Sequence, residues 1–253
     1  MAFFNCSYYS SVLHMATKVN VVIPEVRRTD VPVLYLLHGL SDDNTIWERR
    51  TCIERMADKA GVAVIMPDGA RSFYTNMKYG PRYYDYVSRE LPEYVAATFK
   101  PLSNDPAKTF ICGNSMGGYG ALKIAFRNPE CYAAVVGLSS VTDIVARIRS
   151  RQWAQDAVNI WGEDAETSVE GSEDDLFALA EKLKQAPVRP RIFQICGTED
   201  FLYQDNIRFR DFIRPLGLEY SYFEEPGEHC WEDWNRWLPL AFRFFLNREE
   251  GKA

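Results

Sequence analysis

Short, largely apolar runs separated by stretches of helical spacing constrain this chain more than any other feature. Val31-Pro-Val-Leu-Tyr-Leu-Leu37, Val62-Ala-Val-Ile-Met66, Thr109-Phe-Ile-Cys112, Tyr132-Ala-Ala-Val-Val-Gly-Leu138 and Arg191-Ile-Phe-Gln-Ile-Cys196 each read as a strand. Most of their positions are apolar, so such strands must be covered on both faces. Lys18 to Pro24 alternates in the β manner, and Leu218 to Phe223 reads as a further strand. Between them lie helical patterns over Thr45 to Ala60 (stopped by Gly61), Asp85 to Phe99, Ser115 to Phe126, Gln204 to Pro215 and Trp231 to Leu246. Pro92 must kink or restart the second of these. Buried strands alternating with amphipathic helices predict a doubly wound α/β architecture, a mostly parallel sheet with helices on both faces.

The chain is 253 residues long and shows no internal repeat, low-complexity tract or Gly/Ser linker. A single domain over 1–253 is therefore expected, with Val141 to Pro187 as an insertion. That segment lies between two core strands yet supplies helical patterns in place of another β-α unit. From Asp156 to Asp175 it carries eight acidic residues and no basic one. It reads as a solvated helical excursion that also caps an active site, with Ser172-Glu-Asp-Asp175 as a capping box for the next helix. The run Arg147-Ile-Arg-Ser-Arg151 reads as a solvated helix face.

Composition excludes several classes. A formal charge of −6 argues against nucleic acid as a partner. No apolar run approaches the ~18 residues a membrane span needs. The amino terminus, Met1-Ala-Phe-Phe-Asn-Cys-Ser, lacks a cationic region and a long apolar core, so no signal peptide is expected. The six cysteines are scattered without a C-x-x-C pair, which suits a reduced, cytoplasmic protein. There are three histidines, His14, His38 and His229, and no H-E-x-x-H, so no metal site is expected.

Gly113-Asn-Ser-Met-Gly117 is a G-x-S-x-G sequence between a predicted strand and a predicted helix. At such a turn a serine is held in a strained conformation, and the flanking glycines leave room where side chains would clash. Ser115 is thereby the candidate nucleophile, at a helix amino terminus whose free N–H groups and dipole favour negative charge. A serine hydroxyl needs a base. His229 is the best placed, in the loop Glu225-Pro-Gly-Glu-His229 between the last strand and the last helix. His38 closes a strand before a glycine, where the backbone is the useful group, and His14 reads as a surface or strand histidine. The orienting acid should follow a strand between serine and histidine, and Ile195-Cys-Gly-Thr-Glu-Asp200 supplies it, with Asp200 preferred to Glu199. The oxyanion hole then falls to the backbone N–H groups of Met116, after the nucleophile, and Leu40, after His38-Gly39.

Leu36-Leu-His-Gly-Leu40, Gly113-Asn-Ser-Met-Gly-Gly118, Gly197-Thr-Glu-Asp200 and His229-Cys-Trp-Glu-Asp-Trp234 resemble the esterase D family of serine hydrolases over nearly the whole chain. That family includes S-formylglutathione hydrolases, feruloyl-type esterases and the bacterial tributyrin esterases, and the likeness is greatest to the last. The resemblance implies an α/β-hydrolase fold and hydrolysis of short-chain acyl esters without a cofactor. It also implies Ser115, Asp200 and His229 as the triad, with Leu40 and Met116 as oxyanion donors. The His-x-Trp-x-x-Trp tail matches the feruloyl and tributyrin branches better than the S-formylglutathione hydrolases. An acyltransferase or a thioesterase would use the same triad. The partner expected is a small-molecule ester, and a homo-oligomer is compatible with everything above.

The remaining aromatics have open readings. Trp47 is either core or one wall of the acyl pocket, and Trp153 and Trp161, in the insertion, are candidate pocket residues. Trp231, Trp234, Leu238 and Ala241 recur at helical spacing and read as anchors of the last helix. Tyr74, Tyr79, Tyr83 and Tyr84 are packing residues or a substrate platform. Cys112 and Cys196 read as small hydrophobes.

Overall fold

The structure, a computed structural model, describes residues 1–25 and 29–247. Its eight strands, β1 (Ala2–Ser10), β2 (Met15–Ile23), β3 (Val33–Leu37), β4 (Ala63–Pro67), β5 (Thr109–Asn114), β6 (Ala134–Leu138), β7 (Arg191–Gly197) and β8 (Tyr220–Glu225), form one sheet in the order β1-β2-β4-β3-β5-β6-β7-β8. β1, β2 and β4 pair antiparallel in turn, and every pairing from β4 to β8 is parallel. This is the mostly parallel, doubly wound sheet the apolar runs require. β1 is an addition that the sequence reading did not anticipate, a nine-residue hairpin partner of β2.

The helices are α1 (Ile46–Arg50), α2 (Ile53–Ala60), α3 (Tyr83–Asp85), α4 (Leu91–Thr98), α5 (Met116–Arg127), α6 (Ile144–Arg149), α7 (Ala154–Trp161), α8 (Ala165–Ser168), α9 (Leu176–Leu183), α10 (Tyr203–Ile213) and α11 (Trp231–Phe245). Alternate residues of β3 feed two cores. Val33, Tyr35 and Leu37 join a cluster with Tyr119 and Leu122 of α5, while Leu34 and Leu36 join Trp47, Ile53, Trp237 and Phe242 of α1, α2 and α11. A strand buried on both faces has no polar side to display, which is why these runs do not alternate. Among the described residues no helix is long and apolar enough to cross a membrane.

Three expectations are corrected. The single helix over Thr45 to Ala60 is two, because Thr51 is extended (φ −136°, ψ 175°) and its hydroxyl donates to Trp47 O. The freed Cys52 N–H is taken by Asn235 Oδ1 at 3.0 Å, a partner from α11 that local periodicity cannot anticipate. Ser172 does not cap α9; Asp175 does, accepting from Phe177 N at 3.0 Å, while Ser172 Oγ accepts from Asp174 N. The arginine run is not simply solvated, since Arg147 Nε reaches the buried Asp205 carboxylate of α10. Pro92 does restart its helix: a π-helical turn over Tyr86–Glu90 precedes α4, and Pro92 sits in its first turn, where no amide N–H is needed.

The chain passes from β3 to β4 on one side and returns to β5 on the other. The sheet's direction of winding therefore reverses between β3 and β5, and a crevice at their carboxyl ends is the expected ligand position.

Candidate active site

β5 runs into α5 through Ser115, whose backbone (φ 53°, ψ −116°) lies in a region that non-glycine residues avoid. Holding it there costs of order 1–3 kcal/mol, met by the surrounding structure. Ser115 N donates to Leu138 O at 2.9 Å, and its carbonyl accepts from Val141 N. The glycines are steric necessities. A Cβ at Gly117 would collide with the carbonyl oxygens of Leu37 and His38, and one at Gly113 would strike the Gly117 backbone. α5 is thus pressed against the ends of β3 and β5, and every residue from Met116 to Phe126 is buried.

His229 stands in the loop between β8 and α11. Its Nε2 is 3.0 Å from Ser115 Oγ, and its Nδ1 lies 2.8 and 3.0 Å from the two carboxylate oxygens of Asp200. Because a carboxylate can only accept, Nδ1 carries the proton and Nε2 is left to accept from the serine hydroxyl. Asp200 sits in the turn after β7, its side chain wholly buried and further held by Leu202 N at 2.7 Å. Glu199, one residue earlier, points to solvent. A hydroxyl, an imidazole and a buried carboxylate in this series can raise the nucleophilicity of the hydroxyl and stabilise an imidazolium.

Leu40 follows β3 and Met116 opens α5. Among the described residues, neither backbone N–H has an acceptor within the chain. His38, one residue from the site, is a brace: Nδ1 donates to Gly39 O and Nε2 accepts from Gly69 N, both at 2.8 Å. His14 is exposed at a turn with φ 57°.

A cleft of about 260 Å³ opens beside Ser115 and His229, lined also by Gly39, Leu40, Ser41, Asp42, Asn114, Trp231 and Trp234. Trp231 and Trp234 meet edge to face at 5.0 Å, and Trp234 stands edge-on to the His229 ring at 4.9 Å. Helical spacing in the sequence marks both only as helix anchors; their positions two and five residues after His229 are the signal for a place at the site. Phe201 also packs on the His229 ring, tilted with its centroid at 4.5 Å, and the sequence carries no local signal of this contact.

The three candidate pocket tryptophans do not line this cleft. Trp47 is fully buried core, donating Nε1–H to Leu37 O and packing edge to face behind Trp231. Trp153 and Trp161 pack on Phe73, and Trp161 Nε1–H donates to Asp174 Oδ2 at 3.0 Å. No residue of the 141–187 insertion lines this cleft. Tyr74, Tyr83 and Tyr84 are buried, Tyr74 donating its hydroxyl to His38 O, and Tyr79 is largely exposed. Cys112 and Cys196 are buried, with their thiols pushed up by desolvation, as small hydrophobes would be.

The comparisons with known proteins converge. The Esterase family model matches residues 10–245. An acetyl esterase of Caldicellulosiruptor saccharolyticus is 31% identical, over 96% of this chain and 98% of that protein. The fluorophosphonate-binding serine hydrolase F of Staphylococcus aureus superposes with a TM-score of 0.91 at 35% identity, covering 97% of this chain and 98% of the other. An S-formylglutathione hydrolase of Staphylococcus aureus gives a TM-score of 0.86 at 34% identity, covering 97% and 99%. With a doubly wound sheet, a strained serine at the β5–α5 turn and relatives of this kind over its whole length, the chain belongs to the Esterase family of α/β-hydrolases and is a carboxylic ester hydrolase.

Proposed function

We propose that the protein hydrolyses short-chain acyl esters, in the manner of a tributyrin or acetyl esterase, through Ser115, His229 and Asp200. The observation that carries this reading is the unbroken Ser115–His229–Asp200 hydrogen-bond series, of which Ser115 and His229 line the cleft. His229 Nε2 takes the proton as Ser115 Oγ attacks the ester carbonyl, and Asp200 holds the imidazole in the accepting tautomer and stabilises its charged form. The N–H groups of Leu40 and Met116 receive the oxyanion, which matters most while charge develops in the transition state. His229 returns the proton to the departing alcohol, and a water activated by the same base releases the acid. The cleft's small volume supports short acyl groups, and the chemistry calls on no cofactor.

Replacement of Ser115 by alanine tests this. The variant should lose hydrolysis of p-nitrophenyl acetate and covalent labelling by a fluorophosphonate while keeping its circular dichroism, since a single hydroxyl contributes little to packing. Retention of more than about a hundredth of the wild-type turnover would mean that another group is the nucleophile. Thioester hydrolysis is the second reading, favoured by the likeness to an S-formylglutathione hydrolase. An acyltransferase would instead show its acceptor dependence as product partition with an added alcohol.

A further inference from the structure

One side of the cleft is polar and takes no part in the mechanism above. Asp42 lies two residues beyond Leu40 on the loop after β3, half-buried, and lines the cleft together with Trp231 and Trp234. Among the described residues, no hydrogen bond reaches its carboxylate; its backbone N–H alone is used, donating to Gly39 O. Desolvation pushes the carboxyl above its usual range, Asp43 adds to this, and His38, Arg49 and Arg50 oppose it. Beside it, Asn114 is wholly buried with neither its amide nitrogen nor its amide oxygen partnered. Both side chains converge on Gly39, where a Cβ would lie 3.1 Å from Asn114 Nδ2 and 3.4 Å from Asp42 Oδ2. No lysine or arginine lines the cleft.

A half-desolvated carboxylate without a donor is a poor resting arrangement that a ligand hydroxyl would improve. It also brings a carboxylate into the cleft that Ser115 and His229 line, beside any ester attacked there. We propose that Asp42 determines leaving-group specificity, accepting a hydrogen bond from a neutral, hydroxyl-bearing alcohol portion and rejecting anionic ones. This rests on the reading of Ser115 as the nucleophile. It gives a physical reason to expect acylated polyols as substrates in preference to acylglutathione, whose leaving thiol carries two carboxylates. A unit charge at roughly 7 Å across a wet cleft changes a rate by about fivefold to tenfold, an effect that salt diminishes.

The experiment compares kcat/KM for phenyl acetate and 4-acetoxybenzoate, two esters of similar leaving ability that differ in charge. It does the same for glyceryl monoacetate and propyl acetate. Asp42→Asn should raise the 4-acetoxybenzoate to phenyl acetate ratio about fivefold to tenfold, whereas Asp42→Glu, which keeps the charge, should hold it near the wild-type value. Asp42→Ala should lower the glyceryl monoacetate to propyl acetate ratio by about threefold or more. In the unaltered enzyme, raising salt from 0.05 to ~0.5 M should raise the anionic-to-neutral ratio, a measurement independent of whether any variant folds. Ratios that ignore both Asp42→Asn and salt, in an enzyme that Ser115→Ala inactivates, overturn the role of Asp42 alone. Hydrolysis of phenyl acetate that survives Ser115→Ala overturns the nucleophile, and this inference with it.

Discussion

The Lys123 ammonium of α5 and the Asp174 carboxylate of the helical insertion meet at 2.9 Å, with the lysine wholly out of solvent. Lys123 Nζ also donates to Phe73 O and Thr75 Oγ1, and Asp174 accepts from Trp161 Nε1. Desolvation pulls the lysine down to about 8, with Asp174 opposing the fall. One ion pair thus ties the helix that begins at Ser115, the Phe73–Thr75 loop and the insertion together, by contacts between residues distant in sequence.

Breaking this pair should be costly, because the surviving partner stays buried without its counter-charge. Asp174→Asn is expected to lower unfolding free energy by about 2–4 kcal/mol in urea titrations at pH 7. Without Asp174 to oppose desolvation the lysine gives up its proton below about 8, so the deficit should shrink as pH rises toward about 8. A loss under about 0.5 kcal/mol would show the pair to be no stronger than a surface one.

Glu48 offers a pH-dependent test of the other face. Half-buried, with Oε1 unpartnered and Oε2 accepting from Asn20, it is pushed up to about 7 by desolvation. The folded state therefore binds a proton more tightly than the unfolded chain, so its contribution to stability is present at low pH and is lost as pH rises from about 4.5 to about 7. Glu48→Gln removes that loss. It should stabilise the protein at pH 8 by about 1 kcal/mol, the burial being partial, and should change little at pH 4.

Asp200→Asn should lower kcat for p-nitrophenyl acetate by about three to four orders of magnitude with little change in KM, since the imidazole's tautomer matters mostly in the transition state. Glu199→Gln, altering an exposed side chain, should stay within about twofold. The reverse pattern would place the orienting role on Glu199.

The aromatic wall of the cleft, and not the insertion, should govern ester size. Trp231→Ala opens the lining directly and should move the best p-nitrophenyl ester toward longer chains, each added methylene gaining up to ~0.8 kcal/mol where it is buried. Trp161→Ala, which removes a partner of Phe73 and Asp174, should lower the melting temperature and leave the chain-length profile in place. A profile that moves with Trp161 and not with Trp231 would place the acyl pocket against residues 141–187 instead.

The sequence by itself determined the layered fold and the location of the candidate site. Continuous apolar runs such as Val62 to Met66 carry their two-sided burial in composition, and the glycines around Ser115 mark a strand–helix turn that admits no side chain at Gly113 or Gly117. The candidates Ser115 and Asp200 are legible because each follows a strand of that pattern, and His229 because it stands in the loop between the last strand and the last helix. Tertiary structure alone decided what each buried face packs against. Periodicity shows that Trp47 and Trp161 turn inward, but only the fold sends one to the core behind Trp231 and the other to Phe73. The break at Thr51, with Asn235 taking the next amide, and the burial of Lys123 against Asp174 depend on side chains 183 and 51 residues away in the chain. Local patterns encode polarity and backbone preference, whereas the partner of a hydrogen bond or an ion pair is set by distance in space.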